Sequence, residues 1–338
     1  MINKSNNLLF SLMLVTSVLM AVSSNSWFMV WMGMEINIMS FMPMIISQKN
    51  INSKEASLTY FITQTIASMI MMMAIVMMMI DAKNINFNPS KTGEYMMMTA
   101  LMMKSGISPF HFWMPKMMEG MNWWSCMILM TWQKITPMIM MSTLMKMNTI
   151  TITAMILSII VGAIGGLNQT SLRKLMAYSS ISNNGWMMMA IMISENMWMI
   201  YFMFYSLMIM TFTMTMNQYK IYHMNQLVSM NENMIMKFIM SMNMLSIGGL
   251  PPMAGFLPKW MVIQYSSSML QLMMVSTMTL LTLITVYYYL RIMFSAVILS
   301  YIEPKWNTNK KSTKQYNMMM ITLSIMGLTA ITMIMSMY

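Results

Sequence analysis

The chain has 338 residues, 58% of them hydrophobic and 8% charged, with a formal net charge of +11 and a mean hydropathy of +0.59. A soluble domain carries about 25% charged residues, so a soluble enzyme, a disulfide-stapled secreted scaffold and a disordered chain are excluded. What remains is a polytopic membrane protein with little mass outside the bilayer.

A bilayer-crossing helix needs about 20 apolar residues, and the rare charges mark where such runs begin and end. The first run covers residues 8–22 and stops at Ser23-Ser24-Asn25-Ser26. The second, 27–47, contains Glu35; the third, 56–80, is free of charge. The fourth, 95–117, contains Lys104, Pro109 and Pro115, and the fifth, 121–145, holds Lys134 at its centre. The sixth fills the gap from Lys146 to Arg173, the seventh that from Lys174 to Glu195, the eighth that from Glu195 to Lys220. The ninth begins near Met234 and is interrupted by Gly248-Gly249-Leu250-Pro251-Pro252 and Gly255. The tenth, 273–300, carries Arg291, and the eleventh is 317–338. The expected fold is an all-α polytopic membrane protein, one transmembrane domain of about eleven helices. The longest polar connections, 81–94 and 301–316, are too short to fold alone.

An odd number of spans puts the two ends on opposite faces. Lys4, Lys49, Lys54, Lys116, Arg173, Lys174, Lys220, Lys237, Lys305, Lys310, Lys311 and Lys314 then share the N-terminal face, against Lys83, Lys91 and Lys146 on the other. Basic residues collect on the side of synthesis, so the N terminus is expected in that compartment, the matrix if the protein is mitochondrial, and the C terminus across the membrane. Because the basic residues are scattered singly between apolar runs, topology explains them better than nucleic-acid binding does.

Two segments repeat at fixed offsets. Gly106-Ile107-Ser108-Pro109 precedes Pro115-Lys116, and Gly249-Leu250-Pro251-Pro252 precedes Pro258-Lys259. They occupy the fourth place in two successive five-span blocks, 1–145 and 146–300, with 301–338 forming a polar link and a final helix. Five is odd, so the second block is expected inverted, the arrangement of inverted-repeat transporters whose broken helices mark the ion site. Proline removes a backbone donor and frees carbonyls, and freed backbone persists in lipid only where it is buried in protein or lines a wet cavity. The alternative is a simple structural kink. The breaks are assigned to Gly106, Pro109, Gly248, Gly249, Pro251 and Pro252.

Glu35, Lys104 and Lys134 sit near the middle of their spans, and Lys259 follows the second break. A charge at the bilayer centre costs roughly 2.5–3.5 kcal/mol on insertion scales, so four cost on the order of 10 kcal/mol. Burial penalises a charged form and an opposite neighbour favours it; groups poised between the two can pass protons without a cofactor. These four residues are the candidate relay, the bland alternative being static ion pairs that hold helices together. His111, inside the first break, is a candidate bridging carrier. Tyr178, Ser179 and Ser182 belong to a polar stripe that either holds a water chain or glues helices. Arg291 either joins the path or snorkels to the interface.

One cysteine (Cys126) and two histidines (His111, His223) are too few for an iron–sulfur cluster or a four-ligand zinc site. Gly162, Gly165 and Gly166 lie in an apolar run rather than after a strand, so no nucleotide-binding loop is present. No metal or cofactor is expected on this chain, and any electron transfer takes place elsewhere. Methionine fills 66 positions. We read that excess as an AT-rich genome decoding an extra codon as Met, as animal mitochondria do; a gene with few ATA codons at these positions would overturn it. No Arg- and Ser-rich presequence precedes the first run, in keeping with synthesis inside the organelle.

Several segments together are specific. They are Trp31-Met32-Gly33-Met34-Glu35-Ile36-Asn37, Lys104-Ser105-Gly106 with Pro109-Phe110-His111-Phe112-Trp113, and Thr131-Trp132-Gln133-Lys134. Gly165-Gly166-Leu167-Asn168-Gln169-Thr170-Ser171-Leu172-Arg173-Lys174, Ala177-Tyr178-Ser179-Ser180-Ile181 and Gly255-Phe256-Leu257-Pro258-Lys259-Trp260 follow in order. The chain resembles the antiporter-like membrane-arm subunits of mitochondrial respiratory complex I, NADH:ubiquinone oxidoreductase, and insect versions in particular. The resemblance implies a multi-pass inner-membrane protein that translocates protons while other subunits hold NADH, FMN, iron–sulfur clusters and ubiquinone. It implies partners among the other membrane-arm and accessory subunits and the membrane lipids, with no nucleic acid. It also implies that Glu35, Lys104, Lys134 and Lys259 are the family's mid-membrane titratable line. Where the family often has His this chain has Asn183, and the family's Pro-Glu after the first break is Pro115-Lys116. The competing functions are a cation/proton antiporter subunit and a structural membrane-arm element with non-pumping charges.

Overall fold

The computed structural model describes residues 2–47, 50–83, 92–229, 234–266 and 269–297. The run at 317–338, the link at 301–316 and Lys49, Lys91, Lys305, Lys310, Lys311 and Lys314 lie outside them. Among the described residues the structure is helical, and the single extended pairing is a bridge between Ser171 and His223.

The helices are α1 (Ile2–Ser23), α2 (Trp27–Ile45), α3 (Ile51–Lys83), α4 (Thr92–Ser105), α5 (Trp113–Gly120), α6 (Trp123–Met130) and α7 (Trp132–Leu144). They continue as α8 (Thr149–Gly166), α9 (Leu172–Ile193), α10 (Glu195–Tyr219), α11 (Met224–Val228), α12 (Met234–Gly248), α13 (Phe256–Tyr265) and α14 (Met269–Val297). Segments of α1, α2, α3, α8, α10 and α14 are long and apolar enough to cross a membrane. The fourth run is α4 and α5 around a break, and the ninth is α12 and α13 around another.

The fifth run differs from the expectation of one continuous helix: it is interrupted at Thr131, between α6 and α7. Thr131 leaves the regular helix at φ −114°, ψ −75°, and its hydroxyl donates to the Met127 carbonyl at 2.7 Å. Six residues on, Pro137 removes the donor that the Gln133 carbonyl would otherwise meet.

The chain divides into two compact units, Met1–Thr151 and Ile152–Tyr338. In the first, α1 packs on α2, where Gly33 lets the backbones close up: a Cβ there would lie 2.9 Å from Ala21 Cβ. The long α3 touches α2, α4 and α5, and α4 rests on α7. In the second, α10 touches α9, α12 and α13, α12 rests on α14, and α9 is buried almost all round. The pairings of α3 with α4 and α5 thus have counterparts in those of α10 with α12 and α13.

Both broken helices end the same way. Gly106 has φ +72° and Gly249 φ +85°, the left-handed region that a side chain disfavours. Ile107 N–H donates to the Met102 carbonyl (3.0 Å) and Leu250 N–H to the Leu245 carbonyl (3.4 Å), the six-to-one bond of a glycine-terminated helix. One turn later Phe110 N–H reaches Ile107 O and Met253 N–H reaches Leu250 O, each at 2.9 Å.

Candidate functional site

In the first unit the break carries Lys104 inward. It is the penultimate residue of α4, 8% exposed, and its Nζ lies 3.4 Å from Met34 Sδ on α2. Lys134, third residue of α7 and 2% exposed, enters just after the Thr131 interruption. Both line one small pocket with room for about one water molecule, walled by Asn37, Tyr60, Gln64, Gln133 and Thr136 together with the apolar Met34, Ile38 and Leu129. An interrupted backbone is tolerated in lipid where it borders such a space, and amides and hydroxyls on its wall give water molecules the partners they need.

Polar contacts fix that wall. Gln133 Nε2 donates to Asn37 Oδ1 at 2.8 Å, the Tyr60 hydroxyl to Gln133 Oε1 at 3.4 Å, and Gln64 Nε2 to the Lys104 carbonyl at 3.3 Å. Trp113 Nε1 donates to the Met103 carbonyl at 3.2 Å, satisfying one carbonyl freed at the break.

Glu35 is half-buried on α2, flanked by the cavity residue Met34, and its Oε1 is buried without a hydrogen-bond partner. Among the described residues neither Glu35 nor Lys104 takes part in an ion pair. Direct ion pairs lie at the periphery instead: Lys116–Glu55 (3.1 Å) and Lys146–Glu94 (2.8 Å), all substantially exposed. His111 is 7% exposed, with Nδ1 3.2 Å from the Pro109 carbonyl and 3.4 Å from Ser108 Oγ.

In the second unit Lys259, fourth residue of α13 and buried, places Nζ 2.7 Å from the Gly248 carbonyl at the end of α12. Gly249 is set by its positive φ, and a Cβ there would also come 2.9 Å from that ammonium and displace it. Pro251 and Pro252 lie exposed on the turn, so they shape the break and do not line a buried site.

The serines of the α9 stripe bond within their own helix: Ser179 Oγ to Met176 O at 2.9 Å and Ser182 Oγ to Ser179 O at 2.8 Å. Tyr178 packs its ring on Gly165. Asn183 accepts from the Tyr201 hydroxyl at 3.0 Å, bonding α10 to α9. Arg291 is exposed and donates to the Leu167 carbonyl, away from the buried groups.

Sequence reading missed Asn37, Tyr60, Gln64 and Gln133. They are uncharged residues inside apolar runs; Asn37 and Gln133 stand in the motif segments beside Glu35 and Lys134, and for Tyr60 and Gln64 only the convergence distinguishes them. Among the described residues no group of three or more His, Cys, Asp or Glu side chains is placed to hold a metal ion.

A sequence model described as "NADH:quinone oxidoreductase/Mrp antiporter, TM" matches residues 24–285. The chain is 43% identical over 337 residues to NADH-ubiquinone oxidoreductase chain 2 of Anopheles gambiae, covering 98% of each. It is 45% identical over 336 residues to the protein of that name from Aedes aegypti, again with 98% of each covered. Its fold is similar to a chain of respiratory complex I from Thermus thermophilus, with a TM-score of 0.74 at 18% identity over 94% of this chain and 75% of that one.

Proposed function

The chain belongs to the NADH:quinone oxidoreductase/Mrp antiporter transmembrane family, and from that premise we propose that it is a proton-translocating membrane subunit of mitochondrial NADH:ubiquinone oxidoreductase. In this reading NADH, FMN, iron–sulfur clusters and ubiquinone are handled by other subunits, and this chain moves protons through Glu35, Lys104, Lys134 and Lys259. Its partners are the neighbouring membrane-arm subunits and the inner-membrane lipids, its N terminus faces the matrix and its C terminus the intermembrane space.

One observation carries the relay. Two lysines from different helices, Lys104 and Lys134, line a single small pocket beside interrupted backbone, and among the described residues no carboxylate is in ion-pair contact with Lys104. Amines kept for stability alone would be expected in tight ion pairs, because an unpaired buried charge is costly; amines that take up and release protons need water and a charge close enough to bias them. In this reading Glu35, next in the chain to the Met34 that Lys104 contacts, is the charge that supplies the bias. His111 sits at the break as a further carrier; Tyr178, Ser179 and Ser182 support the path only indirectly, since both serine hydroxyls bond carbonyls of their own helix.

The matching helix ends at Gly106 and Gly249, and the matching packing of α3 and α10, support two five-helix repeats, 1–145 and 146–300. An odd block length makes the second inverted across the membrane, within a total of eleven spans. The departure is in the lysines: Lys116 is exposed and paired with Glu55, whereas its counterpart Lys259 is buried on the broken helix.

The test is Lys134→Met in the assembled complex, reconstituted in liposomes. Pumping per NADH oxidised is expected to fall, or turnover to fall with it, at normal assembly. Native stoichiometry at native turnover would instead favour a structural membrane-arm element.

A further inference from the structure

We propose that Tyr289 is the positioning residue for Lys259, setting where the ammonium sits by bracing the broken end of α12. The inference rests on the relay reading of Lys259 given above.

Tyr289 lies on α14, fully buried, and its ring abuts Gly248: a Cβ on that glycine would stand 3.0 Å from Tyr289 Cδ2. Gly248 is the residue whose carbonyl receives Lys259 Nζ at 2.7 Å. The ring therefore bears on the acceptor that holds the amine. The α12 end is capped by the Leu250-to-Leu245 bond, but the regular helical ladder stops there, so the place of the Gly248 carbonyl also depends on what packs against it. Glycine at 248 and tyrosine at 289 are complementary: the missing Cβ makes room for the ring edge.

Tyr289 is itself anchored. Its hydroxyl donates to Met176 Sδ on α9 at 3.8 Å, and its ring centroid lies 4.6 Å from that of Tyr288. Tyr288 in turn occupies space at Gly166, where a Cβ would come 2.7 Å from Tyr288 Cε1. The adjacent rings thus tie α8 and α9 to the α12 break, and a displacement of α14 would be felt at the Lys259 acceptor. Dense packing transmits such displacements rather than absorbing them. A tyrosine serving only as core filling would have no reason to act through Lys259.

The experiment measures proton pumping by the assembled complex in liposomes for Tyr289→Leu, Tyr289→Phe, Lys259→Met and the Tyr289→Leu/Lys259→Met double variant. Tyr289→Leu is expected to lower the pumping rate by roughly two- to thirtyfold, the span typical of residues that tune coupling without touching the ligand. Tyr289→Phe keeps the ring and is expected to stay near native. In the double variant the loss should equal that of Lys259→Met alone. Gly248→Ala, which pushes on the same contact, replaces Tyr289→Leu if the leucine variant does not assemble, and is expected to cause the same loss. If Lys259→Met impairs pumping while the assembled Tyr289→Leu or Gly248→Ala variant is native, the positioning role is wrong and the relay stands. Additive losses in the double variant would also overturn it. If Lys259→Met itself pumps normally, the relay assignment of Lys259 fails first.

Discussion

The ammonium of Lys104 reaches the thioether sulfur of Met34 at 3.4 Å, with no carboxylate paired to it directly among the described residues. Sulfur of this kind is a weak acceptor, so the contact steers the amine without fixing its charge state. Met34→Leu nearly conserves volume and should leave pumping within about twofold of native, because cavity water can take the place of so weak an acceptor. Lys104→Met should reduce pumping by about a hundredfold or more, the scale of losing a general acid–base group. Liposome pumping assays on assembled complexes compare the two. Equal damage from both would mean that the sulfur, and not hydration, holds the amine.

Asn37, Gln133 and Tyr60 form a chain across α2, α7 and α3, with contacts of 2.8 and 3.4 Å. Asn37→Leu strands the Gln133 amide in a buried wall and is expected to cost about 1–3 kcal/mol, the penalty for an unsatisfied buried donor. Tyr60→Phe removes the longer, weaker bond and should cost about 0.5–1 kcal/mol. Thermal melting of the assembled complex orders them; a Tyr60→Phe variant less stable than Asn37→Leu would contradict the assignment.

Both glycine–proline breaks are legible in the chain because the left-handed turn and the missing donor are properties of the residues that make it, Gly106, Pro109, Gly249 and Pro251. The Thr131 interruption is not. Threonine sits readily in a helix, and nothing local announces that its hydroxyl will compete for the Met127 carbonyl. The buried lysines stand out for a similar reason: a charge in an apolar run is conspicuous whatever surrounds it. The cavity wall is hidden, since Asn37 and Gln133 are 96 residues apart and Tyr60 and Gln133 are 73 apart. Their meeting is a product of packing, which periodicity does not encode.

Gly255 opens α13 with an ordinary backbone, φ −72°. Its requirement is space: a Cβ would fall 1.7 Å from the Ser246 carbonyl oxygen. Backbone on the far side cannot swing away as a side chain would, so Gly255→Ala forces the two arms of the second break apart. Overpacking costs typically about 1–3 kcal/mol when side chains can yield, and more is expected here. The readout is the amount of assembled complex on native gels, which should drop several-fold. Normal assembly of Gly255→Ala would mean that the arms sit farther apart than they do here.

Arg291 separates a charge on the proton path from one that only anchors. It is exposed and bonds the Leu167 carbonyl. A guanidinium never gives up its proton at accessible pH, so it would influence a relay only by its field. Removing it as Arg291→Gln keeps a donor for the carbonyl and deletes the charge. Pumping stoichiometry is expected to be native and the rate within about twofold, because a surface charge contributes little. Arg291→Leu also loses the hydrogen bond and should melt earlier by an amount equivalent to about 1.5–3 kcal/mol, the scale for hydrogen bonds to charged groups. Pumping in liposomes and melting of the assembled complex distinguish the roles. A large loss of pumping in Arg291→Gln with unchanged melting would put Arg291 back among the working charges and move part of the proton route toward α14.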